Sequence, residues 1–175
     1  MLNTLPELAQ ASLEQAIKNS SPFSLLPEQL SSQLLPFQSQ QAGVFVTLKQ
    51  YEDLRGCIGT IQPVQSNVLQ EVMANAISAG TQDPRFPPVS LSELPTLHYS
   101  VSVLHEPEAI DSVTALDPEQ YGVIVSTSRK RGLLLPKLEG ITDAEQQVFY
   151  ARQKAGILPY ERITLSRFKV DFYGE

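Results

Sequence analysis

The chain has 175 residues, 42% of them hydrophobic and 18% charged, which suits one folded domain over 1–175 and excludes the disordered and collagen-like classes. Its formal net charge of −6 opposes general affinity for nucleic acid, which draws on lysine and arginine at phosphates. A single cysteine allows no internal disulfide, and no stretch approaches the roughly 20 apolar residues that span a bilayer. The expectation is a cytoplasmic protein with no membrane and no nucleic-acid partner.

Leu5, Leu8, Ala9, Leu13, Ala16 and Ile17 recur at helical spacing, and "NSSPF" then supplies polar caps and a proline, Pro22, that stops a first helix. Residues 20–42 carry Ser, Gln, Pro and Leu without a period, with room for a short helix around 27–35. "GVFVTLK" (43–49) and "LRGCIGTI" (54–61), joined by the polar "QYED", predict a hairpin. A second helix follows from Val68, with Asn67 as its N-cap and Gly80 as its end, and "QDPRFPPV" (82–89) is a proline-stiffened loop.

"LHYSVSVL" (97–104) alternates as a half-buried strand, and "GVIVST" and "GLLLP" form a hairpin around the basic "SRKRG" turn. "TDAE" (142–145) predicts a capping box from Thr142 to Glu145, starting a third helix that stops at Gly156. In the tail "RITLSRFKVDFY" the apolar face changes phase after Leu165, as when a bulge shifts a strand's facing. The sum is an α+β fold with a largely antiparallel or mixed sheet and flanking helices.

Two glycines flank the cysteine inside a predicted strand. Alternation places Arg55, Cys57, Gly59 and Ile61 on one face and Leu54, Gly56, Ile58 and Thr60 on the other. An arginine beside a thiol favours the thiolate, and Gly56 and Gly59 leave room for a ligand, which makes Cys57 a candidate catalytic nucleophile on a pocket floor. The competing reading is a small apolar core residue, with glycines that let a helix pack closely on the sheet.

"DPRFPPV" likewise presents Asp83, Arg85 and Phe86 to a ligand with little entropy left to lose, or else is a rigid turn. His98 and His105 lie seven residues apart on opposite strand faces, about 23 Å if the strand is continuous, so they cannot share a metal ion. No cofactor motif occurs: "RGCIGT" lacks the spacing and lysine of a P-loop, and "GCIG" in an acidic protein's strand does not suit an RNA clamp.

Taken in order, "FVTL" (45–48), "LRGCIG" (54–59), "DPRFPPV" (83–89), "SVSVL" (100–104), "GLLLP" (132–136) and "KAG" (154–156) resemble the AMMECR-domain family over roughly residues 5–173. The resemblance implies an α+β fold with a larger and a smaller subdomain around a cleft that holds "LRGCIG", and Memo-like and radical-SAM proteins as partners. It implies no established activity.

Members often carry a second cysteine where this chain has Arg152, and a glutamine where it has Lys137; a paired-thiol mechanism is excluded here. Three functional classes stay open. One is an enzyme using Cys57 with Arg55 or Arg85 on an anionic substrate. The others are a module binding a small anionic or peptide ligand through Arg55, Gly56, Gly59, Asp83, Arg85 and Phe86, and an interaction or regulatory protein.

Fluorescence anisotropy should detect no binding of duplex DNA or single-stranded RNA at physiological salt. Micromolar affinity that falls steeply with added salt and vanishes when Arg129, Lys130 and Arg131 become alanine would overturn this.

Overall fold

The computed structural model describes residues 1–21 and 23–174. It shows an α+β fold with two antiparallel four-stranded sheets, and the chain divides into two compact units, Met1–Val103 with Asp171–Glu175, and Leu104–Val170.

In the first unit α1 (Leu5–Asn19) starts at Thr4, whose side chain accepts from Glu7 N while the Glu7 carboxylate accepts from Thr4 N, and it ends at Ser20 in the left-handed conformation. Pro22, expected to stop this helix, lies outside the described residues. The unperiodic stretch that follows holds two short 3-10 turns, Pro27–Gln29 and Leu35–Gln38, in place of one helix.

Strands β1 (Val44–Gln50) and β2 (Asp53–Gly59) form the expected hairpin. With β3 (Leu97–Leu104) and β8 (Val170–Tyr173) they make a sheet in the order β2-β1-β3-β8. Val44, Val46, Leu48, Val101 and Val103 are buried on its covered face.

Helix α2 (Val68–Thr81) is capped by Asn67, as its sequence predicts. It runs one residue past Gly80, which is a packing position and not the cap: a Cβ there would meet the Leu13 side chain of α1 at 2.5 Å. Two buried polar residues of α2 hold the start of β1 and the segment just after β2. Glu71 accepts from Thr60 Oγ1 at 2.7 Å and from the amides of Val64 and Gln65, and Asn75 Nδ2 donates to Val44 O at 3.0 Å.

The second unit holds β4 (Glu108–Ile110), β5 (Gly122–Ser126), β6 (Arg131–Leu134) and β7 (Thr164–Phe168), in the order β4-β7-β5-β6. β4 pairs with β7 over three residues, too short a run to show an alternation in the sequence. α3 (Ala144–Ala155) buries Val148 and Ala151 against Val123 and Val125 and ends at Gly156, with φ of 64°. Its N-cap is Asp143, which accepts from Gln146 N, and Thr142 bonds the Gln146 side chain; the box sits one residue later than "TDAE" suggests because Asp143 adopts the extended cap conformation.

The tail is also corrected. Its phase change is not a bulge within one strand: β7 belongs to the second sheet and β8 to the first, so the residues after Lys169 face a different core.

Gly56 lies against the α2 backbone, where an added Cβ would stand 2.2 Å from Ala79 O. Gly56→Ala must therefore push helix and strand apart, at a cost of about 1–3 kcal/mol in urea unfolding. An unchanged midpoint would show that the helix can shift freely.

Candidate functional site

β2 is an edge strand, so residues along it present backbone N–H and C=O groups with no neighbouring strand. At Cys57 two side chains take that neighbour's place. Cys57 N donates to Asp83 Oδ2 at 2.9 Å, and Arg85 Nη2 donates to Cys57 O at 3.3 Å. Asp83 is 4% exposed and saturated: Oδ1 accepts from Arg85 N and Nε at 3.0 Å each, and Oδ2 also accepts from Arg85 Nη2 at 2.7 Å. The Arg85 guanidinium, helped by the amides of Cys57 and Arg85, holds the Asp83 carboxyl far below the usual carboxylate range.

Arg55 behaves differently from its sequence reading. The register shifts at Leu48/Lys49, so Leu54 and Gly56 have partners on β1 and Arg55 falls in the bulge between them. Its side chain turns to Glu93, with Nε to Oε1 at 2.7 Å and Nη2 to Oε2 at 3.3 Å, and Nη2 also donates to Pro87 O. The arginine hydrogen-bonded at Cys57 is Arg85. The paired guanidinium of Arg55, with the Ser90 amide, pulls the Glu93 carboxyl down to about 2.

The glycines also have packing partners. Gly56 admits the α2 backbone, and at Gly59 an added Cβ would stand 2.2 Å from the ring of Phe45, its cross-strand partner. The space beside Gly59 is therefore filled by an aromatic ring.

What remains is a small polar constellation on the open face of the first sheet. Cys57 is half-buried, with Sγ 3.2 Å from Thr47 Oγ1. Thr47 pairs with Cys57 on one side and Ser100 on the other, and alternation puts exposed His98 on the same face. Two strand spacings and two residues separate His98 from Cys57, about 12 Å, too far for a direct proton transfer.

The Arg85 side chain is 54% exposed, and its Nη1 makes no hydrogen bond among the described residues. Phe86 is half-buried, with its ring centroid 5.9 Å from Arg55 Cζ and 5.5 Å from Arg85 Cζ. The site can thus present a cation beside a thiol and a hydroxyl. Thr47 and Glu93 escape the sequence reading because each joins through long-range pairing; only the position of Thr47 in "FVTL" hints at it. Among the described residues no three His, Cys, Asp or Glu side chains cluster to hold a metal ion.

The AMMECR1 family model matches residues 6–173. A protein of Clostridium acetobutylicum is 43% identical over 169 residues, 97% of this chain but 35% of the relative, so the chain spans about a third of that relative's length. One from Thermotoga maritima is 46% identical over 136 residues, 77% of this chain and 78% of its own. The crystal structure of an uncharacterised protein from Pyrococcus horikoshii superposes with a TM-score of 0.86 at 30% identity, covering 96% of this chain and 88% of that one.

The depressed Glu93 carboxyl links this loop to pH. A carboxyl held at about 2 when folded contributes stability that is present above its unfolded value near 4.5 and is lost as pH falls toward 2. Glu93→Gln should therefore cost about 2–3 kcal/mol at pH 7 in chemical unfolding and converge with the wild type near pH 2. Parallel curves across that range would remove the ion pair from the stability of the loop.

Proposed function

The chain belongs to the AMMECR1 family, and from that premise we propose that the open sheet face around Cys57 binds a small anionic or peptide ligand, with Cys57 Sγ as candidate nucleophile. One observation carries the reading. Arg85 has its Nε and Nη2 locked by a buried carboxylate, donates from Nη2 to the backbone carbonyl of the half-buried Cys57, and leaves Nη1 without a hydrogen bond among the described residues. A guanidinium held in place loses little freedom on binding, so an anion meets a prepared donor.

Thr47 Oγ1 is placed to orient the sulfur or to hydrogen-bond a group that approaches it. Asp83 is a positioning residue: it touches no ligand and sets the plane of Arg85. The thiol chemistry would need a base, and the distance of His98 from Cys57 on the same sheet favours ligand holding over a dyad of these two residues.

A second reading has its own observation. The relative from Clostridium acetobutylicum carries the matching segment within a chain nearly three times as long, which suits a module that works beside another domain or a separate partner. In that case Phe86, half-buried between two arginines, is the docking contact.

Native mass spectrometry of purified protein and iodoacetamide labelling test both. Cys57 should be alkylated in the folded protein, and any small molecule retained by untreated protein should be missing from the alkylated form and from Arg85→Ala. Labelling only after denaturation would return the thiol to a packing role. A folded Phe86→Ala that loses a protein partner, with no ligand on the wild type, would favour docking.

A further inference from the structure

Arg55 is 9% exposed, yet its Nη1 is buried without a hydrogen-bond partner among the described residues, while Nε and Nη2 are engaged by Glu93 and Pro87 O. A buried cationic N–H group with no acceptor is rare in folded proteins and marks a place where an acceptor belongs. The Phe86 ring centroid stands 5.9 Å from Arg55 Cζ and 5.5 Å from Arg85 Cζ. Arg85 also has an uncommitted Nη1, and its side chain reaches solvent. Two guanidiniums, each fixed from behind by a carboxylate, thus share one aromatic neighbour, and each has one nitrogen to spare.

We infer that Phe86 is a side-chain gate over a two-arginine oxyanion site, in which a phosphate-type anion displaces the ring and bridges Arg55 Nη1 and Arg85 Nη1. The proposal rests on the ligand-binding reading of this face and names the ligand's chemistry. Ring and anion compete for the same two cations: the ring offers a weak cation–π contact, the anion charge-assisted hydrogen bonds.

Pro84, Pro87 and Pro88 stiffen the loop, so the gate opens by rotation about the Phe86 side-chain bonds with the backbone in place. Glu93 and Asp83 remain paired throughout, which keeps the local charge balanced when the site is empty and leaves the anion to add to it.

The test is calorimetric titration with inorganic phosphate, with acetate in parallel, on wild type, Phe86→Ala, Phe86→Leu, Arg85→Ala and the double variant Phe86→Ala with Arg55→Lys, each first checked by thermal melting. Removing the ring should tighten phosphate binding at least tenfold. Phe86→Leu, which keeps apolar bulk without the ring face, should gain at least threefold and serves alone if the alanine variant does not fold.

Arg55→Lys, which keeps the charge but loses the guanidinium fork and with it Nη1, should cancel the gain. A gain with either oxyanion supports the gate and tells phosphate from carboxylate. Equal affinity in wild type and both Phe86 variants would overturn it. If Arg85→Ala still weakens binding in that case, the ligand site stands and only the gate fails; if no variant changes affinity, both fall.

Discussion

One carboxylate organises this face of the protein. Asp83 supplies the hydrogen-bond acceptor that an edge strand lacks at Cys57, and in the same geometry it fastens Arg85, which returns a donor to the Cys57 carbonyl. A neighbouring strand would have satisfied the two backbone groups without bringing a charge. Side chains do the same work and add a charge. The cost of removing Asp83 is correspondingly compound: a buried amide loses its acceptor, and an arginine loses the partner that sets its plane. Strand edge, loop and cation are therefore one unit, and the loop cannot move without disturbing the strand.

The same economy of space recurs at two strand glycines. Gly56 on β2 faces the Ala79 carbonyl of α2, and Gly132 on β6 faces the Ala151 carbonyl of α3, where an added Cβ would come within 2.2 and 2.1 Å. Both strands are sheet edges, and in both units a helix is drawn down onto the edge strand by the absence of a side chain. Close backbone approach of this kind brings Cα–H groups toward carbonyl oxygens, a weak attraction that only glycine permits at such range. The polar residues Glu71 and Asn75 on α2 then tie the segment after β2 and the start of β1.

Most of the elements are legible in the sequence because their signals are local. The α1 and α2 periodicities, the Asn67 cap, the 97–104 alternation and the Gly156 stop each depend on a few neighbouring residues, and each has its counterpart in the fold. The errors come where a distant partner decides. The bulge that turns Arg55 to Glu93 arises from pairing with β1, the switch between β7 and β8 from which sheet each joins, and the glycine packing from a helix and a ring far along the chain. Cys57, Asp83, Arg85 and Phe86, singled out by residue type, lie together in the fold, whereas which arginine bonds the Cys57 backbone, Arg55 or Arg85, needed the register.

The sharing of the tail between two sheets has a consequence for synthesis. Residues 104–170 form a complete unit of their own, whereas the first unit still awaits β8, which follows them in the chain. A ribosome thus makes the whole second unit while the side of β3 opposite β1 still lacks its partner. During that interval the nascent chain carries a buried-type strand, Leu97–Leu104, with unpaired backbone groups along one side. β8 acts as the closing seam, and β3 waits for it while the intervening residues 105–169 are translated.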